Sequence, residues 1–292
     1  MIWQSYASLG DRQFDITRPW LPSALSAADQ VECLTRAEAL KLTHVECAAY
    51  THLASCLEEF VTPTTLTLAR KLAFDERVAF AALSSAATEE SKHIALFREA
   101  RKRMNTALGF PLALLPEARR VTGVVLGKHP AAVLLLTACV HAIAEHHAAL
   151  RVQDDAALDP LARQMLAAYW HDAARPGQRV RLETVRVFQD LPPAGKDDAF
   201  DDFVELVIGM EALLSVQARF DVENLLRYIR RPIGKSEQAE LLEAVTDAKR
   251  FALIESGLTH RSFRELFGLV ATRAQRERVE EALDTGMTTV AC

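Results

Sequence analysis

Apolar residues recur along most of this chain at steps of three and four, the period of a helix with one face turned inward. No stretch alternates convincingly with the period of a strand, and no repeat of fixed length is visible. The pattern predicts a first helical stretch over about 28–72, with Pro63 expected to kink or break it because proline lacks the N–H and crowds the preceding turn. A second helix is predicted over about 75–106, with Asp75 as its N-cap. A long connection over 105–130 follows, punctuated by Gly109, Pro111, Pro116, Gly123 and Gly127. A third helix is predicted over about 130–153, then a turn in which Asp159 caps a fourth helix opening on Pro160. That helix meets Pro176-Gly177. Further helices are expected at about 197–230, 236–256 and 262–284, the last opened by a Ser262/Glu265 capping box.

Composition supports this reading. Half of the 292 residues are apolar, a quarter are charged, and glycine is scarce at 11, as suits helices. Nothing resembles a flexible linker, so a single all-α domain over 1–292 is expected, with a bundle core at about 30–190 and C-terminal helices at about 197–284. A net charge of −5 gives no footprint for nucleic acid. Cys33, Cys47, Cys56, Cys139 and Cys292 are odd in number and lack zinc spacing, which fits a reduced, cytoplasmic setting. Residues 1–11 show no charged leader ahead of an apolar run. The most apolar stretch, 131–143, is short for a bilayer, so no membrane span is expected.

The second helix carries the chemistry. Ala79, Leu83, Ala86, Glu90, His93, Phe97, Ala100 and Met104 form one stripe, apolar except at its centre. Glu90 and His93, three apart, project to one side. A lone buried carboxylate costs several kcal/mol, so it pairs, protonates or binds metal. On the first helix, Leu42, Val45, Ala49, His52, Cys56 and Glu59 share a stripe. Glu59 and Glu90 are equidistant from a turn near Phe74, which sets them at one height in an antiparallel hairpin; Glu58 fits nearly as well by counting, but the stripe favours Glu59. His52 reads as a hydrogen-bonded core histidine, and Glu46 lies too far from the level of Glu90. The third helix offers Glu145 on a face with Ala138, His141, Ala142 and Ala149, and the fourth offers His171 and Asp172 opposite it. His147 follows the Leu136, Val140, Ile143 stripe as a core histidine. Glu59, Glu90, His93, Glu145, His171 and Asp172 at one level form a candidate metal site.

Two helical hairpins joined by a long crossover are the layout of a ferritin-like helical bundle. The segments LEEFVTP, TEESKH, AEHHAAL and LDPLARQMLAAYWHDA resemble ferritin-like di-iron oxygenases, most closely the p-aminobenzoate N-oxygenase-like group, over residues 30–190. The resemblance implies that Glu59, Glu90, His93 and Glu145 are iron ligands. It also implies a second Glu-x-x-His on the fourth helix, where this chain carries Arg175, Pro176, Gln178 and Arg179 instead. The expected activity is therefore a non-haem iron oxygenase or oxidase with an incomplete di-iron site, using one or two irons, or manganese, with O2 as co-substrate and a small organic molecule as substrate. The alternative is a bundle that has lost its metal and serves as a metal-independent enzyme or a binding partner. The C-terminal helices are expected to lid the bundle or to form a homodimer interface.

Overall fold

The computed structural model describes residues 9–74, 76–115, 118–279 and 281; the expected cap Asp75, with Pro116 and Cys292, lies outside them. Among the described residues every regular element is helical.

Helix α1 (Arg36–Leu72) is opened by a capping box in which the Thr35 side chain accepts from the Glu38 N–H and Glu38 accepts from the Thr35 N–H. It thus starts later than the sequence pattern suggests. Residues 26–34 form turns, yet Ala27, Ala28, Val31 and Leu34 are still buried, which explains their helix-like apolar spacing. The helix runs unbroken through Pro63. Burial of Phe60, Val61, Thr64, Thr65, Leu68 and Ala69 on either side offsets a local cost of about 3 kcal/mol, and the Thr62 hydroxyl donates to the Glu58 carbonyl at 2.9 Å beside the disturbed turn.

Helix α2 (Arg77–Leu108) returns along α1 as a long hairpin and ends on Gly109, whose φ of 79° suits glycine. The crossover contains α3 (Ala118–Leu126), a helix hidden from the sequence reading by Gly123 and Gly127. Helix α4 (Pro130–Ala149) is buried on every side from Ala131 to Ala144. The stretch Pro130–Asp154 is long and apolar enough to cross a membrane, and 72% of its apolar window is buried inside the fold.

Helix α5 (Pro160–Ala174) begins as expected, with Asp159 Oδ1 accepting from the Ala162 N–H at 2.7 Å. The chain then breaks at Pro176 and continues as α6 (Gly177–Asp190). Helices α7 (Pro193–Ile229) and α8 (Lys235–Arg250) form a second hairpin, and α8 runs on through a π turn, Phe251–Glu255, and one α turn, Ser256–Leu258. Helix α9 (Arg261–Val270) follows, and residues 273–279 are helical. The Ser262/Glu265 capping box does not form: α9 starts one residue earlier, His260 caps it, and Glu265 pairs with Arg261.

Helix α4 is the axis. Helices α1, α3, α5, α6, α7 and α9 and the π turn all touch it. The π turn region approaches so closely that a Cβ on Gly257 would sit 2.6 Å from Ile143 Cγ1 and 2.8 Å from the Cys139 carbonyl oxygen. A second core joins the start of α1 and the turns before it to α7 and α8 through Leu42, Ala218, Leu225, Leu241 and Val245.

Candidate functional site

The buried face of α1 turned towards α2 carries Cys47, Thr51, Ala54, Glu58, Val61 and Thr65, spaced four and three. Its partner on α2 is Leu83, Ala87, Glu90, His93, Phe97 and Ala100. Where the faces meet, Glu58 Oε1 lies 3.6 Å from His93 Nδ1, and the Thr65 hydroxyl donates to Glu90 Oε1 at 3.3 Å. All three ionisable side chains are almost completely buried. Burial, and then the negative charge of Glu58, pushes the Glu90 carboxyl up to about 8.

Helix α5 contributes Tyr169 to this centre. Its ring stands edge-on to His93 at 5.0 Å and to Phe97 at 4.8 Å, and its hydroxyl engages the Glu58 carboxylate. Burial, followed by the charge on Glu58, holds the phenol well above its ordinary range. Helix α4 contributes His141. Its Nδ1–H donates to the Ala173 carbonyl at 2.8 Å, which leaves Nε2 as a lone pair. That Nε2 and Glu90 Oε2 are buried and have no hydrogen-bond partner among the described residues. Burial pulls the His141 imidazole below its usual range, while Glu58 and Glu145 act against that shift.

The remaining sequence candidates lie elsewhere. Glu59 is turned one helical step away from Glu58 and pairs with Arg98 at 3.3 Å. Glu145 faces α6 and α9: Arg181 donates to its Oε1 at 2.6 Å and the Ser262 hydroxyl to its Oε2 at 2.5 Å. His171 is exposed and accepts from Arg175 at 3.1 Å. Asp172 is buried but faces Arg175, with Nη1 to Oδ1 at 3.2 Å. Arg179 pairs with Glu76 and Glu183, and Gln178 is exposed. Gly177 permits the crowding around Glu145, since a Cβ there would meet Glu145 Oε1 at 2.7 Å and His141 Cβ at 3.2 Å.

No family model matches this chain, and no curated protein or solved structure is similar enough to count as a match. The centre is therefore read from its own geometry.

The donor types in this centre suit a divalent transition metal: two carboxylates, one imidazole three residues after a glutamate, and a second imidazole whose tautomer is fixed by a backbone carbonyl. Among the described residues no three His, Cys, Asp or Glu side chains yet converge closely enough to enclose an ion. Glu58 Oε2, Glu90 Oε2 and His141 Nε2 are buried atoms with no hydrogen-bond partner among the described residues.

Two histidines play the structural parts the sequence suggested. His52 Nε2 bonds the Leu115 carbonyl at 2.9 Å. His147 is buried beside the centre, where Trp170 donates to the Tyr50 hydroxyl at 2.7 Å and Tyr50 contacts His147 Nδ1 at 2.9 Å. Because the indole occupies the tyrosine oxygen as donor, the phenol proton points to Nδ1. The sequence reading weighed Glu58 but preferred Glu59, placed His141 only on the face of Glu145, and did not single out Tyr169. The 47–51–54–58–61–65 spacing was the available signal, masked by its small polar members.

Proposed function

We propose that this chain is a ferritin-like bundle with a single non-haem metal centre, held by Glu58, Glu90, His93 and His141, and that it is an oxygenase or oxidase of a small organic molecule. The observation that carries the reading is the buried Glu58–His93–Glu90 cluster, with His141, whose Nε2 has no partner among the described residues, near enough to feel the charge of Glu58. Iron is favoured by the oxygen and nitrogen donor set, with manganese next. When bound, iron supplies the one-electron chemistry that lets O2 react with an organic substrate.

The chain's own groups do the positioning. Thr65 orients Glu90, Tyr169 orients Glu58, and the Ala173 carbonyl fixes the His141 ring. Phe97, Leu83 and Tyr169 exclude water from the carboxylates. A mononuclear centre is preferred to a di-iron one because the expected second set is otherwise engaged: Arg181 neutralises Glu145, Arg175 faces Asp172, and Tyr169 is the α5 residue that reaches the centre.

The same three features support a second reading, in which the metal has been lost and the bundle binds a ligand or partner. Elemental analysis of anaerobically purified full-length protein, reconstituted with ferrous iron, separates them. One iron per chain is the expected result. Two would restore the di-iron reading, and none would favour metal loss.

A further inference from the structure

An open cleft lies outside the bundle interior, between the end of α4 and the outer face of α5, with a volume of ≈ 660 Å³. That volume falls in the range of small-molecule sites. Its floor is Ala148, Ala167 and Ala168, with the fully buried Trp170 beneath, and its walls carry Arg12, Arg163 and His171; no acidic side chain lines it.

Both arginines are braced, and neither pairs with a carboxylate among the described residues. Arg12 donates through Nε to the Leu9 carbonyl at 3.3 Å and through Nη1 to Gln164 Oε1 at 2.7 Å. Its backbone is held in turn by Arg103, which donates to the Arg12 carbonyl at 3.0 Å. Arg163 donates to the Asp155 carbonyl at 3.1 Å. All of these acceptors are uncharged, and each guanidinium keeps further N–H groups for another partner. Among the described residues about half of the other arginines are paired with carboxylates, as Arg98, Arg175, Arg179, Arg181, Arg231 and Arg250 are; Arg12 and Arg163 differ from the remaining unpaired ones in lining one cleft together.

We infer that this cleft binds a small organic carboxylate, its apolar body on the partly exposed Ala148, Ala167 and Ala168 and its carboxylate between Arg12 and Arg163. A planar guanidinium matches a carboxylate through paired N–H groups, and bracing lowers the ordering cost of binding. The floor adds apolar contact that a bare inorganic anion cannot use. The inference does not depend on the metal centre, because no proposed ligand lines the cleft.

Isothermal titration of the full chain with a series of straight-chain and aryl carboxylates, their neutral amides and inorganic phosphate tests it. The expected result is binding of at least one carboxylate at about 1 mM or tighter. Its amide binds roughly tenfold more weakly, and Arg163→Gln and Ala167→Trp each weaken the acid by a similar factor with the melting temperature unchanged. Arg12→Gln serves if either variant fails to fold. The proposal is overturned if no carboxylate binds, if acid and amide bind equally, if Ala167→Trp leaves binding intact, or if phosphate binds as tightly as the best carboxylate.

Discussion

His141 donates its Nδ1–H to the carbonyl of Ala173 at 2.8 Å, across the contact between α4 and α5. One bond thereby settles which ring nitrogen is open, and the open one is buried with no partner among the described residues. The structural histidines His44 and His52 also bond a backbone carbonyl through one nitrogen and leave the other unpartnered among the described residues; what sets His141 apart is the carboxylate of Glu58, near enough for its charge to act on the ring. Replacing His141 with Gln is expected to weaken ferrous iron binding by about tenfold or more, the scale on which single ligand-sphere changes act. Competition against a chelator of known affinity measures it, and an unchanged affinity removes His141 from the centre.

The adjacent glutamates Glu58 and Glu59 give a sharper test. Glu58 is buried against His93, whereas Glu59 reaches out to Arg98. Glu58→Gln should abolish or strongly reduce iron loading, and Glu59→Gln should leave it intact. The reverse outcome would restore the face first inferred from the sequence and discard the geometry seen here.

That pair also shows how far the sequence could be read. The all-helical class followed from spacing alone, and the α2 stripe put Glu90 and His93 on the buried side because α2 is amphipathic, with one buried face. Helix α1 is buried on all sides from Leu42 to Thr51, so its early apolar residues say nothing about rotation. The stripe drawn through Leu42, Val45, Ala49, His52, Cys56 and Glu59 advances 17 residues in five steps, short of the 3.6 residues per turn of a helix, so over nearly five turns it drifts by about one residue's rotation and ends on Glu59. Helix α4 poses the same problem, being buried throughout from Ala131 to Ala144. No periodicity there distinguishes the face of His141 from that of Glu145, and only the packing of α6 and α9 shows that Glu145 is engaged.

Glu145 is therefore expected to matter for stability and not for iron. Its side chain is 20% exposed, and Arg181, Ser262 and His260 surround its carboxylate. Arg181→Ala should cost on the order of 1 kcal/mol by leaving a half-buried acid short of its cation. Glu145→Gln should keep the metal content of the parent protein. Denaturant unfolding and elemental analysis of the two variants check the pair of statements, and loss of iron from Glu145→Gln would contradict them.

A second buried acid governs how stability varies with pH. Glu46 accepts from the Ser26 hydroxyl and from the Ala27 N–H, tying the turns before α1 to the helix. Asp221, paired with Lys249, lies close enough to be felt. Burial raises the Glu46 carboxyl to about 7, with Lys249 opposing and Asp221 reinforcing the shift. A carboxyl raised on folding makes the native state bind more protons than the unfolded chain, so its stabilising contribution is complete at low pH and is lost as pH climbs from about 4.5 through about 7. Glu46→Gln cannot titrate. Its stability relative to the parent should rise across that window by on the order of 2 kcal/mol, seen as converging and then crossing melting curves. A constant difference at all pH values would show that Glu46 does not titrate there.

Two helical glycines should respond to alanine in opposite directions, and the contrast isolates packing from propensity. Alanine is favoured over glycine inside a helix by about 1 kcal/mol. At Gly209 on α7 an added Cβ meets nothing within 4 Å, so Gly209→Ala should stabilise by roughly that amount. At Gly257 the same methyl would lie 2.6 Å from Ile143 Cγ1 and 2.8 Å from both the carbonyl oxygen and the sulfur of Cys139. The Ile143 side chain can rotate, but the Cys139 carbonyl belongs to the backbone of the central helix. Relief requires the π turn region to move off α4, and overpacking of this kind costs about 1–3 kcal/mol. Gly257→Ala should therefore destabilise despite its better propensity. If both variants gained stability, the seating of the π turn on α4 would have to be looser than the observed contacts, and with it the arrangement that brings α9 to Glu145.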